Sequence, residues 1–180
     1  GLFGPVNGSN PYKTAFELTM DLIPAALAYL ARYAASTAHL RLVLQRKVQR
    51  RAMRTDTPLP PATEIAATIE TAVARMTDLG LLNDTEYATN LARQYRTRGE
   101  SLSKIRLRLM AKGLGTDDIA EAIRPLDDDE HSAAKRYAKR KRLGPFRLSP
   151  GKPDQPKRDI ASLCRAGFSL TVSRQIIEQK

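Results

Sequence analysis

Four consecutive acids, Asp127, Asp128, Asp129 and Glu130, are the residues of this chain that most resemble a metal site. An EF-hand loop starting at Asp127 needs glycine at its sixth position and glutamate at its twelfth. Those positions hold Ser132 and Ala138, so the run reads as an acidic cap on a helix start. His39 and His131 are far apart, and Cys164 is the only cysteine, so no metal-ligand spacing and no internal disulfide framework arise. Cys164 lies in a helical apolar pattern with Ile160 and Leu163 and reads as a small core residue, a reactive thiol being the alternative. Gly113-Leu114-Gly115 fits a helix stop, since no P-loop or Rossmann glycine pattern surrounds it. Nothing near Cys164 supports a nucleophilic triad. The expectation is a protein without enzyme activity, metal or cofactor.

The cations offer a different chemistry, the recognition of anions. Between His131 and Pro153 stand Lys135, Arg136, Lys139, Arg140, Lys141, Arg142, Arg147 and Lys152, with no acid among them. Between Asp21 and Asp56 the same asymmetry recurs in Arg32, Arg41, Arg46, Lys47, Arg50, Arg51 and Arg54. A middle stretch adds Arg93, Arg96, Arg98, Lys104, Arg108 and Lys112. A charge run is usually a solvated helix face. Three runs in a chain of net charge +11 point further, to a phosphate backbone or an acidic protein groove. The candidate contact residues are Arg93, Arg96, Arg98, Lys104, Arg108, Lys112, Lys135, Arg136, Lys139 and Arg140. Sequence-specific base reading is disfavoured, because the helices open with Asp, Glu or Ser where a recognition helix would offer Asn, Gln or Arg.

Helices must position these side chains. Of 180 residues, 42% are hydrophobic, many of them alanine, and none is tryptophan. Alternating β-branched stretches are scarce, so the chain reads as all-α. In Gly80–Ser101, Asn83 and Glu86 have capping-box spacing, while Tyr87, Leu91 and Tyr95 form an apolar face. That pattern puts Arg93 and Arg96 away from the core, before a left-handed stop at Gly99. Helices are expected over Ala62–Leu79, Asp84–Arg98 and Leu102–Lys112, with Tyr87, Leu91, Ile105 and Leu109 packed together. Further on, Arg136, Lys139 and Arg140 share one helical face and Ala134, Tyr137 and Ala138 the other. No run approaches the ~18 apolar residues of a membrane span, and a reducing, cytoplasmic setting is expected.

Three stretches look alike. Leu30-Ala31-Arg32 matches Leu91-Ala92-Arg93, Ser36 matches Ser101, and Leu40, Leu44 and Lys47 match Ile105, Leu109 and Lys112. In the third, Arg158, Leu163 and Gly167 fall on Lys104, Leu109 and Gly113. The expected architecture is an elongated array of three tandem three-helix repeats, at residues 15–82, 83–126 and 127–180. Proline-rich connectors interrupt it at 54–63 and 144–156. Residues 1–14 are expected to be a disordered or appended tail, because GLFGPVNGSN lacks the basic stretch and apolar core of a signal peptide.

The segments GLLNDTEYA, LARQYRTRGESLSKIRLRLMAKGL and CRAGFS together resemble the bacterial RecX family of regulatory proteins. The similarity runs from about Ala25 to Lys180. Its most specific parts are Gly80–Ala88, Gly99–Gly113 and the RxGFS motif at Arg165–Ser169. The resemblance implies a helical array of three-helix repeats that negatively regulates the RecA recombinase. Such proteins lie in the groove of the RecA–DNA filament and oppose its growth, ATP hydrolysis and strand exchange, with no catalytic site of their own. It thereby implies roles in recombination, DNA repair and the SOS response. The expected partners are the RecA filament and, through the basic faces, single- and double-stranded DNA, with no membrane and a monomeric chain. The rival reading is a nonspecific helical DNA-binding protein acting without RecA. Two departures stand out: Val48 occupies the place of Gly113 in the first module, and Gly144–Pro156 is inserted in the third.

Overall fold

The computed structural model describes residues 21–178, the side chains of 127–129 excepted. The 1–14 tail therefore lies outside the described residues, as do the carboxylates of Asp127, Asp128 and Asp129. The described chain is all-helical, with nine α-helices and no strand among the described residues. Two units divide the chain after Leu82.

In the first unit, α1 (Ile23–Leu30), α2 (Thr37–Thr55) and α3 (Ala62–Asp78) enclose Ala26, Leu40, Leu44, Val48, Val73 and Met76. Ser36 starts α2 by accepting the His39 amide at 3.1 Å. Where the middle stretch breaks at Gly113, α2 runs on through the buried Val48. A β-branched residue has no easy access to the left-handed conformation that a tight stop requires. The stop comes instead at Asp56, with φ 49°, just before the prolines.

The second unit begins with α4 (Asp84–Thr97), α5 (Leu102–Ala111) and α6 (Thr116–Ile123). Asn83 caps α4 through the Glu86 amide at 3.0 Å, and Ser101 caps α5 through the Lys104 amide at 3.2 Å. Their apolar faces meet in a core where Ile105 and Leu109 are fully buried and Tyr87 and Leu91 pack alongside. A 3-10 turn, Arg124–Asp129, leads into α7 (Glu130–Lys141). A second 3-10 turn at Gly144–Phe146 and a loop precede α8 (Gln155–Arg165) and α9 (Leu170–Ile177). Ala134, Ala138, Leu163, Phe168 and Ile176 form the core of this last group.

The two helix groups of this unit are bonded to each other. Gly99 (φ 78°) packs so closely on α7 that a Cβ there would stand 3.0 Å from the Ala133 carbonyl oxygen and the Tyr137 nitrogen. The Ser101 hydroxyl, while capping α5, donates to the Ala166 carbonyl at 2.6 Å. Gly167 lies against that hydroxyl, where a Cβ would approach to 2.5 Å. The 144–156 insertion is held down by Asp159, which is buried. Its carboxylate accepts from the Gly144 amide (2.8 Å), Arg147 (2.6 and 3.2 Å) and the Gln155 side chain (2.9 Å). Burial pushes this carboxyl up, but the Arg147, Gly144 and Gln155 hydrogen bonds outweigh it and hold the group below its ordinary value.

Candidate partner-binding surfaces

Helix α4 presents Arg93 to solvent and ends at the exposed Arg98. Arg96, expected on that outer face, is instead buried, with 3% of its surface exposed. Its Nη1 donates to Glu130 Oε2 at 2.6 Å and to the Glu100 carbonyl at 3.0 Å, and its Nη2 to the Leu126 carbonyl at 3.0 Å. Tyr87, Leu91 and Tyr95 mark one covered stripe of α4. Ala88, Ala92 and Arg96 mark a second, fully buried along its length. A guanidinium can sit there because it meets a carboxylate and two carbonyls in one plane of donors.

The cations of α5 differ among themselves. Lys104 and Lys112 are exposed. Arg108 lies 3.1 Å from the Glu100 carboxylate and stacks 4.7 Å from the centroid of the Tyr95 ring. Glu100 is itself buried, so Arg108 compensates a carboxylate that water barely reaches.

On α7 the predicted face is divided between structure and solvent. Arg136 donates to the Arg96 carbonyl at 3.3 Å, and Arg140 donates to the Arg98 carbonyl while lying 5.3 Å from the centroid of the Tyr137 ring. Both satisfy carbonyls at the C-terminal end of α4, where cations also suit the helix dipole. Lys135, Lys139, Lys141 and Arg142 are exposed, with the Lys139 ammonium 5.6 Å from the Phe146 ring centroid. Arg147, counted from sequence among the basic cluster, belongs to Asp159.

Arg93, Arg96, Thr97, Leu126 and Arg136 line a cavity of about 440 Å³ between α4 and α7. It brings together three of the ten candidates. Lys104, Arg108 and Lys112 belong to α5 and lie outside it. In the first unit Arg41 pairs bidentately with Glu70 at 2.6 and 2.9 Å, while Arg46, Lys47, Arg50, Arg51 and Arg54 are exposed on α2. Charge counting passed over Leu107 and Met110, exposed on α5 to 66% and 54%. Their signal was available: they fall out of phase with Leu102, Ile105 and Leu109, so a helix that buries those three must expose them.

Among the described residues no three His, Cys, Asp or Glu side chains come together as a metal would need. His39 Nε2 is 3.0 Å from the Tyr29 hydroxyl, and the half-buried Cys164 has its Sγ 3.6 Å from the Ser173 hydroxyl. No described helix is long and apolar enough to cross a membrane.

The regulatory protein RecX of Myxococcus xanthus (strain DK1622) is 38% identical to this chain over 157 residues, 86% of the chain and 82% of that protein. The chain belongs to the RecX family. The regulatory protein RecX of Chlorobaculum tepidum is 29% identical over 156 residues, covering 86% of this chain and 87% of its own length. No family model matches the sequence. Solved RecX structures share the fold. The crystal structure of RecX from Lactobacillus salivarius superposes with a TM-score of 0.66 at 20% identity, over 87% of this chain and 92% of that one. A second crystal structure of regulatory protein RecX gives 0.65 at 19% identity, over 99% and 82%.

Proposed function

We propose that this chain negatively regulates the RecA recombinase, binding in the groove of the RecA–DNA filament and opposing filament growth, ATP hydrolysis and strand exchange. Membership of the RecX family, carried by the match over 157 residues, is the observation that supports this reading. The protein acts by binding and not by catalysis, as a cytoplasmic monomer. Its three helix groups serve as tandem three-helix repeats, each offering cations. Arg93, Arg98, Lys104, Lys112, Lys135 and Lys139 are the contact residues of choice, being exposed; Arg108 and Arg140 are exposed too but are engaged by Glu100 and by the Arg98 carbonyl. Arg96, Arg108, Arg136 and Arg140 contribute by holding those helices in place, and Arg136 also faces the cavity beside Arg93. Many modest contacts along a filament add through effective concentration, so no single anchor is required.

The exposed run Lys135, Lys139, Lys141 and Arg142 favours a second contribution, from DNA phosphate. RecA-driven ATP hydrolysis on single-stranded DNA separates the readings. A filament regulator slows hydrolysis when far scarcer than RecA. Inhibition that appears only once the protein coats the bare DNA would make it a DNA-binding protein acting without RecA.

A further inference from the structure

Helix α5 carries no acid and is basic along its length, yet its outermost edge is not charged. Ile105 and Leu109 are fully buried, which turns the opposite side of the helix outward. At 3.6 residues per turn that outer edge is Ser103, Leu107, Met110 and Ala111. All four are exposed, and Leu107 and Met110 stand one turn apart. Cations border the strip on both sides, Lys104 and Arg108 on one and Arg106 on the other. Arg108 is already neutralised by Glu100, whereas Lys104 and Arg106 make no ion pair among the described residues.

This pattern differs in kind from α7. Between His131 and Arg142 no large apolar side chain is exposed, so α7 offers charge alone. A phosphate backbone rewards charge and gains nothing from leucine or methionine. An exposed apolar pair rimmed by cations instead complements a helix that has an apolar stripe between carboxylates. Methionine suits such a face because its flexible thioether adapts to the surface it covers.

We propose that α5 is a protein-docking face whose occupant is an acidic, amphipathic helical segment. The segment's apolar side chains cover Leu107 and Met110, and its carboxylates meet Lys104 and Arg106. The assignment deepens the regulatory reading and rests on it only for which partner supplies the segment.

A fluorescently labelled peptide tests the face without that partner. The probe is a helical peptide with leucines at i and i+4 among glutamates; its control has serine for each leucine at equal charge. The wild-type chain should bind the control at least about tenfold more weakly than the probe, the share that apolar contact supplies. The double variant Leu107→Ser, Met110→Ser should bind the probe no better than the control, with an unchanged melting midpoint because both side chains are exposed. Equal binding of the two peptides by the wild type, or undiminished probe binding by the variant, overturns the proposal. A second arm compares RecA filaments on single-stranded DNA with bare single-stranded DNA. The variant should lose about tenfold on filaments and nothing on bare DNA. Equal loss on both makes α5 a nucleic-acid contact and overturns its assignment to protein. A wild-type chain that ignores filaments overturns the regulatory reading alone, and the peptide arm still decides what α5 binds.

Discussion

Arg96 shows how a residue can be read correctly as a helix-end cation and wrongly as a surface one. Periodicity puts Tyr87, Leu91 and Tyr95 on an apolar face with Ala88 and Ala92 alongside, but it gives no sign that Arg96, one turn beyond Ala92, continues that covered face. The partners of the Arg96 guanidinium come from outside α4: Glu130 and Leu126 lie more than a helix away in sequence, and no local pattern brings them in. Replacing Arg96 by alanine should destabilise the protein by about 3 kcal/mol, the low end for a broken buried pair because Glu130 keeps a quarter of its side chain in water. Lysine should not restore this, since an ammonium cannot reach three acceptors in one plane; denaturant unfolding of both variants measures it. Asp159 calls for a pH experiment. Its folded carboxyl is held below the ordinary value, so as pH falls the unfolded chain takes up the proton first. Its contribution is complete from about pH 5 upward and drains away as pH drops through the ordinary carboxyl value and then the lower folded one. Unfolding midpoints across that range should fall in the wild type and fall less steeply in Asp159→Asn. A parallel decline in both would relocate the acid sensitivity to other carboxylates.

At the scale of elements, helix starts were the most legible feature. Asn83 and Ser101 cap the helices they were expected to cap, and Ala62–Asp78, Asp84–Thr97 and Leu102–Ala111 match expectation to within a residue. Caps are local, so sequence reveals them. The length of α2 was less legible: Val48 stands where the middle stretch has its Gly113 stop, a departure that left the turn open, and the helix runs on through it to Thr55. The division of each cationic face between structure and solvent was not legible at all, since it depends on which carbonyls another helix brings near. Two glycines allow the contributions of conformation and contact to be separated. Gly80 and Gly99 both have positive φ, 70° and 78°, but a Cβ at Gly80 meets nothing within 4 Å, whereas one at Gly99 meets backbone on α7. Gly80→Ala should cost about 1–2 kcal/mol, the price of a left-handed non-glycine residue. Gly99→Ala should cost clearly more, and equal losses in thermal denaturation would show that α7 yields easily. Leu109→Ala, at a fully buried site, should cost about 2–5 kcal/mol.

For the whole molecule, the important boundary is the one that residues 83–178 lack. Their two helix groups have separate cores around Leu109 and Leu163 but share Gly99, Arg96–Glu130 and the Ser101–Ala166 bond. They should therefore unfold as one. Leu109→Ala and Leu163→Ala should lower the same transition, and a scan with two separable steps, each moved by one substitution, would refute the coupling. Net charge acts at this scale too. A chain at +11 should lose affinity for bare single-stranded DNA steadily as salt rises, on a log–log slope of roughly 0.7 per phosphate contacted. The hydroxyl of Ser101 carries a further consequence, for how such a chain can change length over generations. That one oxygen accepts from the amide of Lys104 and donates to the carbonyl beside Gly167, so it belongs to both helix groups at once. Another group inserted between them would part the serine from the CRAGFS turn, and would have to bring its own carbonyl to the place of Ala166 and its own small residue to the place of Gly167.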